Sequence, residues 1–140
     1  MMTMMSPGSL ILHHVGVVLP DRDAVVRYCK DLNLPILAEE YVAAFCCHCI
    51  FVGPALPCVE LIIPNGGRLA EFNNGQGGLH HFAYRTESLR AFMGSFENGK
   101  ARWLHPAPVR GARGMWVNFL APSHLGLLTE FVEESSDQSD

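Results

Sequence analysis

The sequence has 140 residues, of which 49% are hydrophobic, 17% charged and 9% aromatic. Such a balance excludes a disordered or fibrous chain and fits one compact domain with a substantial core. Ten Lys+Arg against 14 Asp+Glu leave a net charge of −4. With so few cations, and those scattered, nucleic acid is excluded as a partner.

In chain order, strand-like runs fall at 10–18, 37–42, 45–52, 58–63, 79–85, 101–105, 114–120 and 126–133. A first helix is predicted after Pro20, capped by Asp21, with Val25, Val26, Cys29 and Leu32 on one face. A second is predicted from Thr86, with Leu89, Phe92, Met93 and Phe96 at helical spacing and Gly99 as its stop. Between the halves lies Asn65–Gly78, with five glycines in fourteen residues. It reads as a linker with one helical turn around Leu69–Phe72. The domain is predicted to span 10–133, divided into modules 10–64 and 79–133 by the linker 65–78, with tails at 1–9 and 134–140. The acidic, Ser-rich tail is predicted to be disordered.

No basic, signal-like segment opens the chain, and the Cys46-Cys47-His48-Cys49 cluster has no partner cluster elsewhere. Free thiols in a reducing cytoplasm are the expectation. Tyr41 to Val59 carries no formal charge, but Gly53, Pro54 and Pro57 interrupt it. Two buried strands and a turn explain it better than a membrane span, so a soluble protein is expected. On a strand, Cys46 and His48 would face one way and Cys47 and Cys49 the other, so these four cannot surround one zinc ion.

The two halves repeat each other. Leu12-His13-His14-Val15-Gly16 matches Leu79-His80-His81-Phe82-Ala83, and each run precedes its half's helix. Each half also carries a glutamate in an apolar strand near its end, Glu60 in VELII and Glu130 in LLTEFV, at similar spacing from the histidines. If a pseudo-twofold axis relates the halves, His14 with His81 and Glu60 with Glu130 can converge. Four polar groups in an apolar trough would be costly unless a cation neutralised them. Two imidazoles and two carboxylates suit a borderline-to-hard divalent metal and leave positions open for substrate. Strand alternation makes His14 and His81 the inward rings, with Leu12 and Leu79 facing the core, and turns His13 and His80 outward.

The LHHVGVVLPD opening, VELIIP, GGLHHFAY and the closing LLTEFVE together resemble the vicinal oxygen chelate superfamily, also called the glyoxalase/bleomycin-resistance fold. Within it the likeness is to methylmalonyl-CoA epimerase-like proteins, over about residues 10–133. The resemblance implies an α+β fold in which two βαβββ modules form a curved, open-barrel mixed sheet around one divalent ion. It implies His14, Glu60, His81 and Glu130 as ligands, with Co, Ni, Zn, Mn or Fe as the ion and a homodimer as the assembly. The activity implied is a metal-dependent isomerase or epimerase that stabilises an enolate of a 2-oxo acid, acyl-CoA thioester or similar small molecule. A glyoxalase-type lyase and a ligand-sequestering binding protein of the same fold are the alternatives.

Epimerases of this kind can carry a further carboxylate on the strand before VELIIP, and here that strand has none. Proton transfer is therefore assigned to Glu130 and to His48 or Cys49, whose parities make them mutually exclusive, with Glu39 and Glu40 just upstream. Arg110 and Arg113, in a Gly-rich turn, are candidate anion ligands. Trp116 and Asn118, of like parity on the next strand, are candidate pocket-lining residues.

Overall fold

The computed structural model describes residues 9–95, 102–121 and 128–134. Its elements are β1 (Ile11–Val18), α1 (Arg22–Leu32), β2 (Ile36–Val42), β3 (Cys47–Val52), β4 (Cys58–Pro64), α2 (Gly67–Glu71), β5 (Gly78–Arg85), α3 (Leu89–Gly94), β6 (Val109–Arg110), β7 (Trp116–Leu120) and β8 (Thr129–Glu133). Two βαβββ runs follow one another, as the repeat predicts. By contact density the chain forms two units, one of residues 14–81 and one of residues 1–13 with 82–140. The boundaries fall inside the first histidine pair and directly after the second.

In the 14–81 unit the strands run β2-β3-β4-β1. The β1–β4 pair is parallel and the other two are antiparallel. Asp21 caps α1 by accepting from the Ala24 N–H at 2.9 Å, and Asn33 ends it in the left-handed region. Beneath the helix Val25, Ile50, Val52 and Leu61 form a core, with Tyr28 and Cys29 packed against it. Val26 and Leu32, predicted on the buried face, are 58% and 55% exposed. Tyr28 takes the place of Val26, since positions i, i+3 and i+4 share a stripe and i+1 turns about 100° away from it; Leu32 lies on the stripe but at the helix's last residue.

β3 begins two residues later than predicted. Ala43–Phe45 form a 3-10 turn, and Cys46 sits at φ 52°, left-handed and exposed. The linker holds α2 and a second 3-10 turn, Phe72–Gly75, in which Asn73 and Asn74 are left-handed. The Asn73 side chain donates to the Gly77 carbonyl at 2.8 Å. Leu12 and Leu79 are exposed, against expectation. The β4 ladder begins at His14, so Leu12 projects beyond it. His13, predicted to point outward, is buried with Nε2 3.4 Å from Glu134. β1 is covered on both faces, as parallel-paired strands are.

In the other unit the order is β5-β8-β7-β6, with β5–β8 parallel. Ser88 caps α3 through the Ala91 N–H, and the Glu133 carboxylate accepts from Leu89 N–H at 2.8 Å. Leu89, Leu120 and Phe131 form the core here, joined by Tyr84, Phe92, Met93, Trp103 and Trp116. The strand predicted at 101–105 is reduced to one bridge, Trp103 with Leu120. Pro106 and Pro108 lack the N–H groups that would extend it. Phe96, Gly99 and Ala101, residues 122–127, and the acidic tail beyond Glu134 lie outside the described residues.

Candidate metal centre

Cross-strand register fixes which side chains share a face. Glu60 on β4 stands opposite Gly16 of β1 and Phe51 of β3. Alternation then places His14, Cys58, Glu60, Phe51, Cys49 and Cys47 on one face of the sheet, and Val17, Leu61, Ile50 and Val52 on the face that α1 covers. The helix side builds the core, which leaves the opposite side for polar groups.

Three of them meet there. His14 Nε2 lies 3.1 Å from Glu60 Oε1, His81 Nε2 lies 3.4 Å from the same oxygen, and the two imidazole nitrogens are 3.3 Å apart. All three residues are buried. Gly16 makes the arrangement possible, since a Cβ there would fall 2.1 Å from His81 Cε1. The ring occupies the space that any other residue's side chain would fill. Burial pushes the Glu60 carboxyl up, but hydrogen bonds from His14 and His81, and their charges, outweigh it and hold the group well below the usual carboxylate range.

Donor atoms about 2.1 Å from one centre, at about 90 to 110° to each other, lie about 3.0–3.4 Å apart. The three observed separations are of that size, so this donor set fits a single divalent ion. Among the described residues, this is the one place where three or more His, Cys, Asp or Glu side chains could hold a metal.

Glu130, the repeat's counterpart of Glu60, is buried on β8. It pairs in register with Ala83 of β5 and Phe119 of β7.

The sequence matches the Glyoxalase/Bleomycin resistance protein/Dioxygenase superfamily over residues 13–119. The chain belongs to that superfamily. Its fold is shared with methylmalonyl-CoA epimerase from Mycobacterium tuberculosis, at 23% identity and a TM-score of 0.81, with 91% of this chain and 90% of the other covered. Streptomyces coelicolor methylmalonyl-CoA epimerase, in complex with 2-nitronate-propionyl-CoA, gives 24% and 0.80, covering 91% of this chain and 100% of that one. The hypothetical protein BH1468 from Bacillus halodurans C-125 gives 26% and 0.81, over 92% and 97%. No curated protein matches the sequence.

Against this glyoxalase-superfamily frame, the remaining predicted residues divide. Cys49 lies on the Glu60 face, with its sulfur 3.7 Å from that of Cys47. The hydrogen bond with Cys47, then burial and the Glu60 charge, push its thiol up from the usual range. His48 has the opposite parity and rests on Tyr41, ring centroids 5.1 Å apart. The structure does not bring His48 to Glu60, which decides the parity question for Cys49. Glu40, opposite Cys49 on β2, is half-buried and shares the Glu60 face.

Trp116 and Asn118 share their face with Phe131 and lie on the α3 side of the sheet, opposite to Glu130. Asn118 is fully buried. Its Oδ1 accepts from the N–H groups of His105 and Phe119, while Nδ2 donates to the His105 carbonyl and Met93 Sδ. It clamps the proline-interrupted segment, and the pocket-lining expectation for it is corrected. Arg110 lies 3.9 Å above the Trp116 ring and donates to the Gly114 carbonyl. Arg113 is exposed at φ 59° in the turn. Sequence reasoning missed Gly16, although the LHHVG and LHHFA copies differ there, with Ala83 at its place.

No helix among the described residues is long and apolar enough to cross a membrane.

Proposed function

We propose that the protein is a metal-dependent isomerase or epimerase in which His14, Glu60, His81 and Glu130 hold one divalent ion. The observation that carries this is the set of three donor separations, 3.1, 3.4 and 3.3 Å, among buried His14, Glu60 and His81. The repeat, which makes Glu130 the counterpart of Glu60, supports the fourth ligand. When bound, the ion offsets negative charge building on a carbonyl oxygen as the neighbouring carbon loses its proton, worth several kcal/mol.

The chain's own groups divide the rest of the work. Glu60, held ionised between two imidazoles, anchors the centre. Glu130 exchanges a proton with the substrate carbon on one face. Glu40, which replaces His48 in this role, is the second proton carrier, because it shares the face of Cys49 and Glu60. Arg113 offers an exposed cation to a phosphate or carboxylate on the substrate. The complex of the Streptomyces coelicolor relative with 2-nitronate-propionyl-CoA favours an acyl-CoA thioester as the substrate class.

The test has two stages. Protein purified without chelator, then exposed to Co, Ni, Zn, Mn or Fe, is expected to take up one equivalent. Loaded protein in heavy water is then expected to place deuterium at one carbon of an acyl-CoA thioester or 2-oxo acid. Glu130→Gln should abolish exchange, and Glu40→Gln should slow inversion by about 100-fold or more. Absence of metal uptake would overturn the reading in favour of a sequestering protein. Uptake without exchange would favour a lyase.

A further inference from the structure

The first histidine of the second His-His pair is left over by the proposed chemistry, yet the structure ties it to a ligand. His80 Nδ1 lies 2.8 Å from His81 Nδ1, and the two rings stand nearly perpendicular at 87°, with centroids 5.1 Å apart. His80 is half-buried, and the ring of Phe72 abuts it edge-on at 4.8 Å. Phe72 opens the 3-10 turn that Asn73 ties to Gly77, so the linker fixes the position of His80. His81 is thus held at both nitrogens. Nε2 faces Glu60 and His14, and Nδ1 faces His80.

A neutral imidazole carries one proton, on one nitrogen or the other, and a metal ligand must keep the ligating nitrogen bare. With Nε2 turned to the ion, the proton of His81 must sit on Nδ1. There it needs an acceptor, and His80 Nδ1 lies within reach at 2.8 Å. We infer that His80 is the positioning residue of the metal centre: its Nδ1 accepts from His81 Nδ1–H and so leaves His81 Nε2 free for the ion. This rests on the metal reading above.

The proton balance is simple. Without the ion, His81 Nε2–H donates to Glu60, and His80 Nδ1–H donates to His81 Nδ1. With His81 Nε2 given over to an ion, its proton would go to solvent and the shared proton would sit on His81 Nδ1 rather than on His80 Nδ1. His80 Nε2 takes one proton from solvent, and both rings end neutral. Ligands whose outer partner is removed lose typically 10–100-fold in metal affinity, and that is the effect expected here.

The test uses the full chain with 15N-labelled histidine. In metal-free protein, a scalar coupling between the two Nδ1 atoms is expected across their hydrogen bond. In zinc-loaded protein, His81 should be protonated at Nδ1 and His80 at Nε2. His80→Phe, which keeps a ring against Phe72, should abolish the coupling and weaken zinc binding 10–100-fold in competition with a chromophoric chelator. His80→Asn, whose amide stands where Nδ1 stood, should restore affinity to within about threefold of the parent. The inference is overturned if the coupling is absent from the metal-free protein, or if His80→Phe binds zinc within twofold of the parent. If the parent takes up no ion at all, the metal reading fails, and the coupling alone then decides whether His80 holds His81.

Discussion

Gly16 shows how much of the centre depends on a missing atom. Gly16→Ala would put a methyl group 2.1 Å from His81 Cε1, and the ring has to move. Overpacking of this kind costs about 1–3 kcal/mol. A lowered melting temperature together with weakened metal binding is the expected outcome; unchanged metal affinity would show that His81 is not a ligand. Glu60 gives a second prediction. Its carboxyl is held below its ordinary 4.5 by the two histidines, so the folded state binds fewer protons there than the unfolded state. The stabilisation is complete above about pH 4.5 and is lost as pH falls below it. In metal-free protein, thermal melts between pH 7 and 3.5 should show a larger loss for the parent than for Glu60→Gln. His14, Glu60 and His81, which the structure brings together, could be singled out in the sequence because each has a counterpart in the other half. Glycine in that role could not, since it acts by leaving space.

Elements carry a different share of the fold. In β3, His48 and Cys49 exchange roles according to where the strand starts, and the start is set by Cys46 at φ 52°. Nothing in a cysteine's chemistry announces a left-handed backbone, so the first residue of β3 could not be read from the sequence. The strand expected at 101–105 is instead a single bridge at Trp103: two prolines follow it within five residues, and proline cannot donate to a ladder, a signal that the apolar run outweighs in the sequence. Tyr28 replaced Val26 on the buried face of α1 because its position, not its hydrophobicity, decides which stripe it joins. The cap of that helix yields a clean test. Asp21→Ala removes the acceptor of the Ala24 N–H and should cost about 1 kcal/mol in denaturant unfolding, with metal affinity unchanged. A loss of metal affinity would show that α1 and the ligand face are energetically linked.

At the scale of the molecule, metal binding and folding should be coupled. A ligand that binds only the native state at 100 times its dissociation constant adds about 2.7 kcal/mol of stability. For a chain of this size that corresponds to about 5–15 °C in melting temperature. Zinc or cobalt should raise the transition by this much, EDTA should reverse it, and Glu60→Gln should show no rise. A parent protein whose transition ignores every divalent ion would argue for a binding protein without a metal. The order of strand, helix and three strands, met twice along the chain, was legible as a repeat. The substrate was not, because residues expected to line a pocket, such as Asn118, instead anchor a loop.

The division of labour on β3 and β4 has a consequence for how such a chain can change. Phe51 and Cys49 look toward Glu60, while Ile50 and Val52 look toward α1. One inserted or deleted residue within either strand would turn every later side chain over, driving carboxylate and thiol under the helix and aliphatics among the imidazoles. Point changes on one side therefore leave the other readable, whereas a single frame-preserving indel inside a strand erases both at once. Lineages of this protein should accordingly place length changes around β3 and β4 at Gly53–Pro57 or in the linker before β5, not between Cys47 and Val52 or between Cys58 and Ile63.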